Sequence, residues 1–209
     1  MFFDLERLRS LGEFKNLDAV IVTTEENFHL VTGFQSNVMG LRGGGGKMTY
    51  FALVPVRRDT PPALIASDGD DCPQLRSSWI RDQRFFASGM YVEDQADEEK
   101  IYNNSVEALS NVLSERGLSE GRLGIETESI SVALYEELTK TFPKAKFTSC
   151  TDVLKKLRMI KPKEAVDLIA EATRITDKAT EAFLESVKVG VSEKKLKQVF
   201  VETVSQEGG

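Results

Sequence analysis

The sequence predicts an α/β fold, a mixed sheet flanked by helices, followed by a purely helical segment. Three observations carry that expectation. Short apolar, β-branched runs alternate with amphipathic stretches up to about residue 158. After that point nothing strand-like appears, and two long helical patterns take over. The change falls in Leu157-Arg158-Met159-Ile160-Lys161-Pro162-Lys163-Glu164. Pro162 fixes its own φ and biases Lys161 towards an extended conformation, so one helix cannot run straight through. Proline suits the first turn of a new helix, where its missing N–H would go unpaired anyway. The stretch reads as a junction between a domain at 1–158 and a helical segment at 159–209. An ordinary loop inside one domain is the other reading.

The elements follow in order. Phe3, Leu5, Leu8, Leu11 and Phe14 stand among Arg and Glu at the spacing of a short amphipathic helix. Asp18-Ala19-Val20-Ile21-Val22-Thr23-Thr24 is an apolar, β-branched run that reads as a buried strand. Phe28 and Val31 then fall on one side of a short helix, and Gly33 suits its C-terminal cap. Residues 35–47 form a loop containing Gly43, Gly44, Gly45 and Gly46. A phosphate-binding loop would need a glycine where Leu41 stands and a hydroxyl residue where Met48 stands, so that motif fails twice. The glycines read as a flexible loop, or as a place where backbone approaches a ligand.

Residues 48–56 and Ala63-Leu64-Ile65-Ala66 read as strands joined in a hairpin across Thr60-Pro61-Pro62, which makes the sheet mixed. Residues 72–80 read as a short helix with Leu75 and Trp79 on one face. Arg84-Phe85-Phe86-Ala87 is a further strand. The acidic run at 93–99 opens a helix to about Arg116, with Ile101, Val106, Leu109, Val112 and Leu113 inward. Arg122-Leu123-Gly124-Ile125-Glu126 is a strand, Ser129 or Ser131 caps the next helix, and residues 146–150 form the last strand. Thr151 or Asp152 caps a helix to about Arg158. Beyond the junction, Ala165, Leu168, Ala172, Ile175, Ala179 and Ala182 form a helix seam ended by Gly190. Ser192 caps the final helix, lined by Leu196, Val199, Phe200 and Val204.

Composition bounds the function. The 209 residues are 41% hydrophobic, enough for a sizeable core, and carry a net charge of −6. That charge gives no footprint for nucleic acid and no attraction to an anionic membrane. No apolar run approaches the roughly 20 residues of a membrane span, and the N-terminus lacks the cationic leader of a signal peptide. Cys72 and Cys150 are the two cysteines, so reduced thiols and a cytoplasmic location are expected. The single histidine, His29, has no partner that spacing supplies for nucleophilic catalysis or metal binding. Glu126 stands at a strand end, where α/β folds place active residues. The simpler reading is a carboxylate hydrogen-bonded to nearby backbone N–H groups. The cluster Lys155, Lys156, Arg158, Lys161 and Lys163 is most simply a solvated face.

Three stretches together resemble one family. Leu17-Asp18-Ala19-Val20-Ile21-Val22 followed by Glu26-Asn27-Phe28-His29-Leu30-Val31-Thr32-Gly33-Phe34 is similar to the opening of creatinase, prolidase and aminopeptidase P proteins. Arg122-Leu123-Gly124-Ile125-Glu126 with Ala133-Leu134-Tyr135-Glu136-Glu137-Leu138 resembles a later strand and helix of the same N-terminal domain. Leu157-Arg158-Met159-Ile160-Lys161 with Glu164 resembles the family's passage into its catalytic domain. Two features depart from the pattern: Pro162 follows the lysine directly, and the loop at 35–47 matches no subfamily.

The resemblance implies a ribonuclease H-like N-terminal domain and then the first helices of a truncated pita-bread catalytic domain. In peptidase members that domain binds two divalent ions, manganese, cobalt or zinc, through two Asp, one His and two Glu; creatinase uses the same fold without metal. Those positions are expected beyond Gly209, so neither catalytic nor metal residues are assigned here. The implied function is a non-catalytic part of an Xaa-Pro peptidase-like metallohydrolase, of proline dipeptidase or aminopeptidase P type, acting on a peptide or small amide. Its role would be homodimerisation and closure over the partner's active site. His29, Phe34, Gln35, Gly43, Gly44, Gly45 and Gly46 are the substrate-side candidates. The alternatives are a small-molecule hydrolase or lyase of creatinase or ectoine hydrolase type, and a catalytically inactive peptidase-like binding protein.

Overall fold

The computed structural model describes residues 3–36, 49–70, 72–87 and 101–209. Gly43 to Gly46 and the acidic run at 93–99 lie outside the described residues. The chain divides into two compact units, Met1–Ile160 and Lys161–Gly209.

In the first unit the helices are α1 (Leu5–Phe14), α2 (Glu25–Thr32), α3 (Pro73–Arg76), α4 (Ser105–Glu115), α5 (Val132–Thr141) and α6 (Thr151–Met159). The strands are β1 (Ala19–Val22), β2 (Phe51–Pro55), β3 (Ala63–Ser67), β4 (Asp82–Phe86), β5 (Ile101–Tyr102), β6 (Arg122–Ile125) and β7 (Lys146–Ser149). They form one sheet in the order β5-β4-β3-β2-β1-β6-β7. β2 alone runs against the rest: it pairs antiparallel with both β1 and β3, and every other pairing is parallel. The sheet is therefore mixed and flanked by helices. Every residue of β1, β2 and β3 is buried. That explains why these strands read as continuous apolar runs rather than alternating ones.

Capping fixes where helices start. Asp4 accepts from the Arg7 backbone N–H at 2.9 Å and Ser131 from that of Leu134 at 3.2 Å. Asn104 accepts from the Glu107 N–H, and the Glu107 carboxylate reaches back to the Asn103 N–H. This reciprocal pair starts α4 at Ser105. The expected longer helix is thus corrected: Ile101 lies in β5, 37% exposed, instead of on the inward face of α4. The helix expected at 72–80 is also shorter. It stops at Arg76 because Ser78 and Trp79 are drawn away to the last carbonyls of α2, Thr32 and Val31.

Gly124, on β6, has a packing reason. A Cβ there would fall 2.7 Å from Leu17 Cδ1 and 2.8 Å from Cys150 Cβ. Those distances are too short for carbon atoms, so only glycine lets the Leu17 and Cys150 side chains cover β6.

The second unit is a helical hairpin of α7 (Lys163–Ser186) and α8 (Glu193–Gln206). Ser192 caps α8 by accepting from the Lys195 N–H. α7 ends at Ser186, four residues before Gly190, which sits in the turn at φ +88°. Ile175 and Ala179 are buried, but Leu168, at the start of the expected seam, is 59% exposed. Length explains the difference. α7 has 24 residues and α8 has 14, so α8 cannot cover the first turns of α7. Among the described residues no helix is long and apolar enough to cross a membrane.

One charged network closes the β4 side of the sheet. Arg116, whose side chain is only 6% exposed, donates to Asp82 at 2.6 Å and to the Pro61 carbonyl at 2.8 Å. Arg84 donates to the other Asp82 oxygen and to Glu115. Burial by itself would raise the Asp82 pKa, but hydrogen bonds from Arg84 and Arg116 outweigh it and hold the carboxyl below its usual 3.8. A depressed folded-state pKa gives stability that is present above the unfolded value and lost as pH falls through the folded one. We expect Asp82→Asn to lower the urea midpoint at pH 7, and the gap from the unsubstituted protein to shrink below about pH 4. Urea melts from pH 7 to 3 check this; a gap independent of pH would contradict it.

Candidate functional site

The site is built from the C-terminal ends of two parallel strands, β1 and β3. Each ends in a turn that carries polar groups to one edge of the sheet, the edge where open α/β sheets bind ligands.

The β1 side begins at Glu126, which follows β6 and is 2% exposed. One carboxylate oxygen accepts from the backbone N–H of Thr23 (2.6 Å), that of Thr24 (2.9 Å) and the Thr23 hydroxyl (3.3 Å). The other accepts from the Thr24 hydroxyl (2.8 Å) and the Asn27 amide (2.5 Å). Thr24 is the N-cap of α2, yet its side chain makes no capping bond. Glu126 supplies the acceptor instead, from a residue more than a hundred positions away, and its charge faces the positive end of the helix. Of the two readings of Glu126, the structure shows the tied carboxylate.

α2 then carries His29 in its last turn and ends at Gly33, in the left-handed region at φ +75°. Most side chains avoid that conformation. The reversal sends Phe34 into the core at 5% exposure and leaves Gln35 outside, with Ser36 buried again. The turn is locked by Ser78 and Trp79, which donate to the Thr32 and Val31 carbonyls at 2.5 and 2.6 Å.

The β3 side is a 3-10 turn, Asp68–Asp70. The Gly69 N–H donates to the Ser67 hydroxyl and the Asp68 carboxylate. Asp70 turns inward to 6% exposure and accepts from the Ser36 and Tyr50 hydroxyls. Tyr50 is wedged edge-on between Phe28 and Phe86, both rings 5.7 Å away. Burial, and next the Asp70 carboxylate, push the Tyr50 phenol well above its usual range, so it remains a proton donor.

Between the two sides lies a pocket of about 530 Å³, lined by His29, Gly33, Phe34, Gln35, Gly69, Asp70, Cys72 and Gln74. It has the size of a small-molecule site. Three residues singled out by sequence, His29, Phe34 and Gln35, line it; Gly43, Gly44, Gly45 and Gly46 lie outside the described residues. Asp70, a buried wall of the pocket, was not singled out by sequence. The signal was a hydroxyl on each neighbouring element, Ser36 and Tyr50, that spacing alone could not pair with it.

The Cys150 thiol is not activated for chemistry. Both cysteines are free thiols, and burial, helped by the Glu126 charge, pushes the Cys150 thiol far above its ordinary value. Among the described residues no three His, Cys, Asp or Glu side chains converge to hold a metal. The described residues therefore do not fit a divalent-metal centre, and no step is derived through one.

Comparisons place this geometry. A family model described as the Creatinase/Prolidase N-terminal domain matches residues 5–160. A creatinase from Bacillus sp. (strain B-0618) is 29% identical over 187 residues, covering 90% of this chain and 40% of the relative. An uncharacterised peptidase of Staphylococcus haemolyticus is 26% identical over 195 residues, covering 92% and 46%. The solved Xaa-Pro dipeptidase from Bacillus anthracis superposes with a TM-score of 0.71 at 17% identity, covering 98% of this chain and 48% of that one. The chain thus spans a little under half the length of these relatives.

Glu126→Gln tests the structural reading of that carboxylate. The amide turns one acceptor oxygen into a donor facing donors and removes the charge from the helix terminus. The expected loss is about 2–4 kcal/mol of unfolding free energy, read by urea denaturation. A loss under about 0.5 kcal/mol, the size of an ordinary surface substitution, would contradict it.

Proposed function

This chain belongs to the creatinase/prolidase N-terminal-domain family, and from that premise we propose that it is the non-catalytic N-terminal part of an Xaa-Pro peptidase-like hydrolase. The supporting observation is coverage. The family match fills residues 5–160, and the chain accounts for 40–48% of the relatives compared. In this reading Met1–Ile160 is the accessory domain, and α7 and α8 are the first helices of the catalytic domain. The longer protein carries the catalytic residues and, as a metallopeptidase, a pair of divalent ions on side chains other than those described here. It works in the cytoplasm as a homodimer. The accessory domain of one subunit closes over the active site of the other, with His29, Phe34 and Gln35 on the facing edge. Closure of this kind excludes water and positions the substrate.

A second reading, a small-molecule hydrolase acting on an amide-like substrate, is favoured by the 29% identity to the Bacillus creatinase. Both readings share the accessory role of this chain and differ only in the substrate.

Two measurements test the proposal. The 209-residue chain incubated with an Xaa-Pro dipeptide and manganese, cobalt or zinc should show no turnover above a metal-only control. Turnover that survives repurification would overturn the non-catalytic assignment. In the longer protein, His29→Ala or Gln35→Ala should lower kcat/KM by about tenfold, near 1.4 kcal/mol, with an unchanged urea midpoint. Unaltered kinetics in both variants would defeat the closure role.

A further inference from the structure

The pocket wall contains a carboxylate whose charge is left unmatched among the described residues. Asp70 is 6% exposed and lines the cavity beside His29, Phe34 and Cys72. Its two hydrogen bonds, from Ser36 and Tyr50, both fall on Oδ2. Both donors are neutral hydroxyls, and the Tyr50 phenol is held in its protonated form. Among the described residues Oδ1 accepts no hydrogen bond and Asp70 pairs with no cation. A buried carboxylate without a counter-charge is costly, and a cation brought to it in a low-dielectric pocket is held firmly. The remaining lining chemistry suits the body of such a ligand. Phe34 and Gly33 give an apolar wall, and Gln35 and Gln74 give amides at the mouth.

We propose that this pocket is a binding site for a primary ammonium group on a small, partly apolar molecule, with Asp70 Oδ1 as the counter-charge and Phe34 against the apolar body. The two hydroxyls pin Oδ2, which aims Oδ1 and leaves it free to accept from the ammonium. A primary ammonium fits better than a metal ion, because among the described residues no three His, Cys, Asp or Glu side chains converge to hold one. It fits better than an anion, because among the described residues the one buried carboxylate lining the pocket, Asp70, is negative. The site rests on the geometry of the first unit alone, so it holds whether or not the pocket faces another subunit's active site.

The test is direct binding by the 209-residue chain, read by calorimetry and by amide NMR shifts at Gly69, Cys72 and Gln74. Three probes share one shape: phenethylamine, 2-phenylethanol and phenylacetate. Phenethylamine should bind at least about tenfold more tightly than the alcohol, the scale of one charge-assisted contact, and phenylacetate should not bind. Asp70→Asn should remove that preference. That variant could also disturb Ser36 and Tyr50, so Gln74→Lys serves as a second one. Gln74 is exposed at the pocket mouth, and a lysine there offers Asp70 an internal ammonium that competes with the probe. It should weaken phenethylamine by about tenfold while the protein stays folded. Equal binding of amine and alcohol, no amine binding at 10 mM (about −2.7 kcal/mol), or an amine affinity unaffected by Gln74→Lys would each overturn the proposal. None of these results depends on peptidase activity, so failure here is distinct from failure of the functional assignment above.

Discussion

The structure turns on one buried carboxylate. Glu126 joins the end of β6 to the start of α2, through five hydrogen bonds made just beyond the C-terminal ends of β6 and β1. β1 and β6 pair in parallel, so their ends lie side by side and the first residues after each strand meet. Parallel strands have no hairpin to hold their ends in register. Here the register is held by a side chain that takes up the orphan N–H groups of a helix start. Its charge costs desolvation, offset by the number and geometry of the donors and by the helix terminus they belong to. If that link fails, α2 loses its anchor, and with it the path to Gly33, Phe34 and Ser36.

The pocket depends on this anchor and on β2. Because β2 runs antiparallel to both its neighbours, β1 and β3 on either side of it are parallel and end at the same edge. Two turns, one after α2 and one after β3, are thereby brought within reach of each other. Tyr50, just before β2, enters from the same edge and bonds Asp70 from between two aromatic rings. Each wall is held from behind: Trp79 and Ser78 on the α2 exit, Ser67 and Asp68 on the turn before Asp70. The cavity is a product of topology, with its side chains fixed by bonds between elements distant in sequence.

That distance decides what could be read from sequence. Continuous apolar runs marked β1, β2 and β3, because strands buried on both faces need no polar alternation. Local capping chemistry marked the starts of α5 and α8 through Ser131 and Ser192. Reading failed where a long-range bond overrode a local pattern. Trp79 and Leu75 have helical spacing, but Trp79 leaves the helix to bond Val31. Ile101 fits a helical stripe, but the Asn103-Asn104-Glu107 arrangement starts α4 only at Ser105. In the second unit, periodicity found the seam but not its length, because the extent of cover on α7 is set by how long α8 is. His29 stood out as the single histidine, and Phe34 and Gln35 through the family resemblance; Asp70 did not, because its partners lie 34 and 20 residues away.

The two buried acids at this edge illustrate how the same residue chemistry divides between structure and binding. Glu126 and Asp70 are almost equally hidden, at 2% and 6% exposure. Burial therefore does not separate them; the count and placement of donors does. Both Glu126 oxygens are occupied, two of the five donors are backbone N–H groups, and a helix terminus supplies positive potential. Little capacity remains for a ligand, and any ligand that took it would have to break the start of α2. Asp70 has both its donors on one oxygen, neither of them charged, and it lines an open cavity. Its second oxygen retains acceptor capacity, and its charge retains a demand that the fold does not meet among the described residues. A carboxylate satisfied on every side holds a fold together, and one satisfied on a single side is positioned by the fold to hold something else.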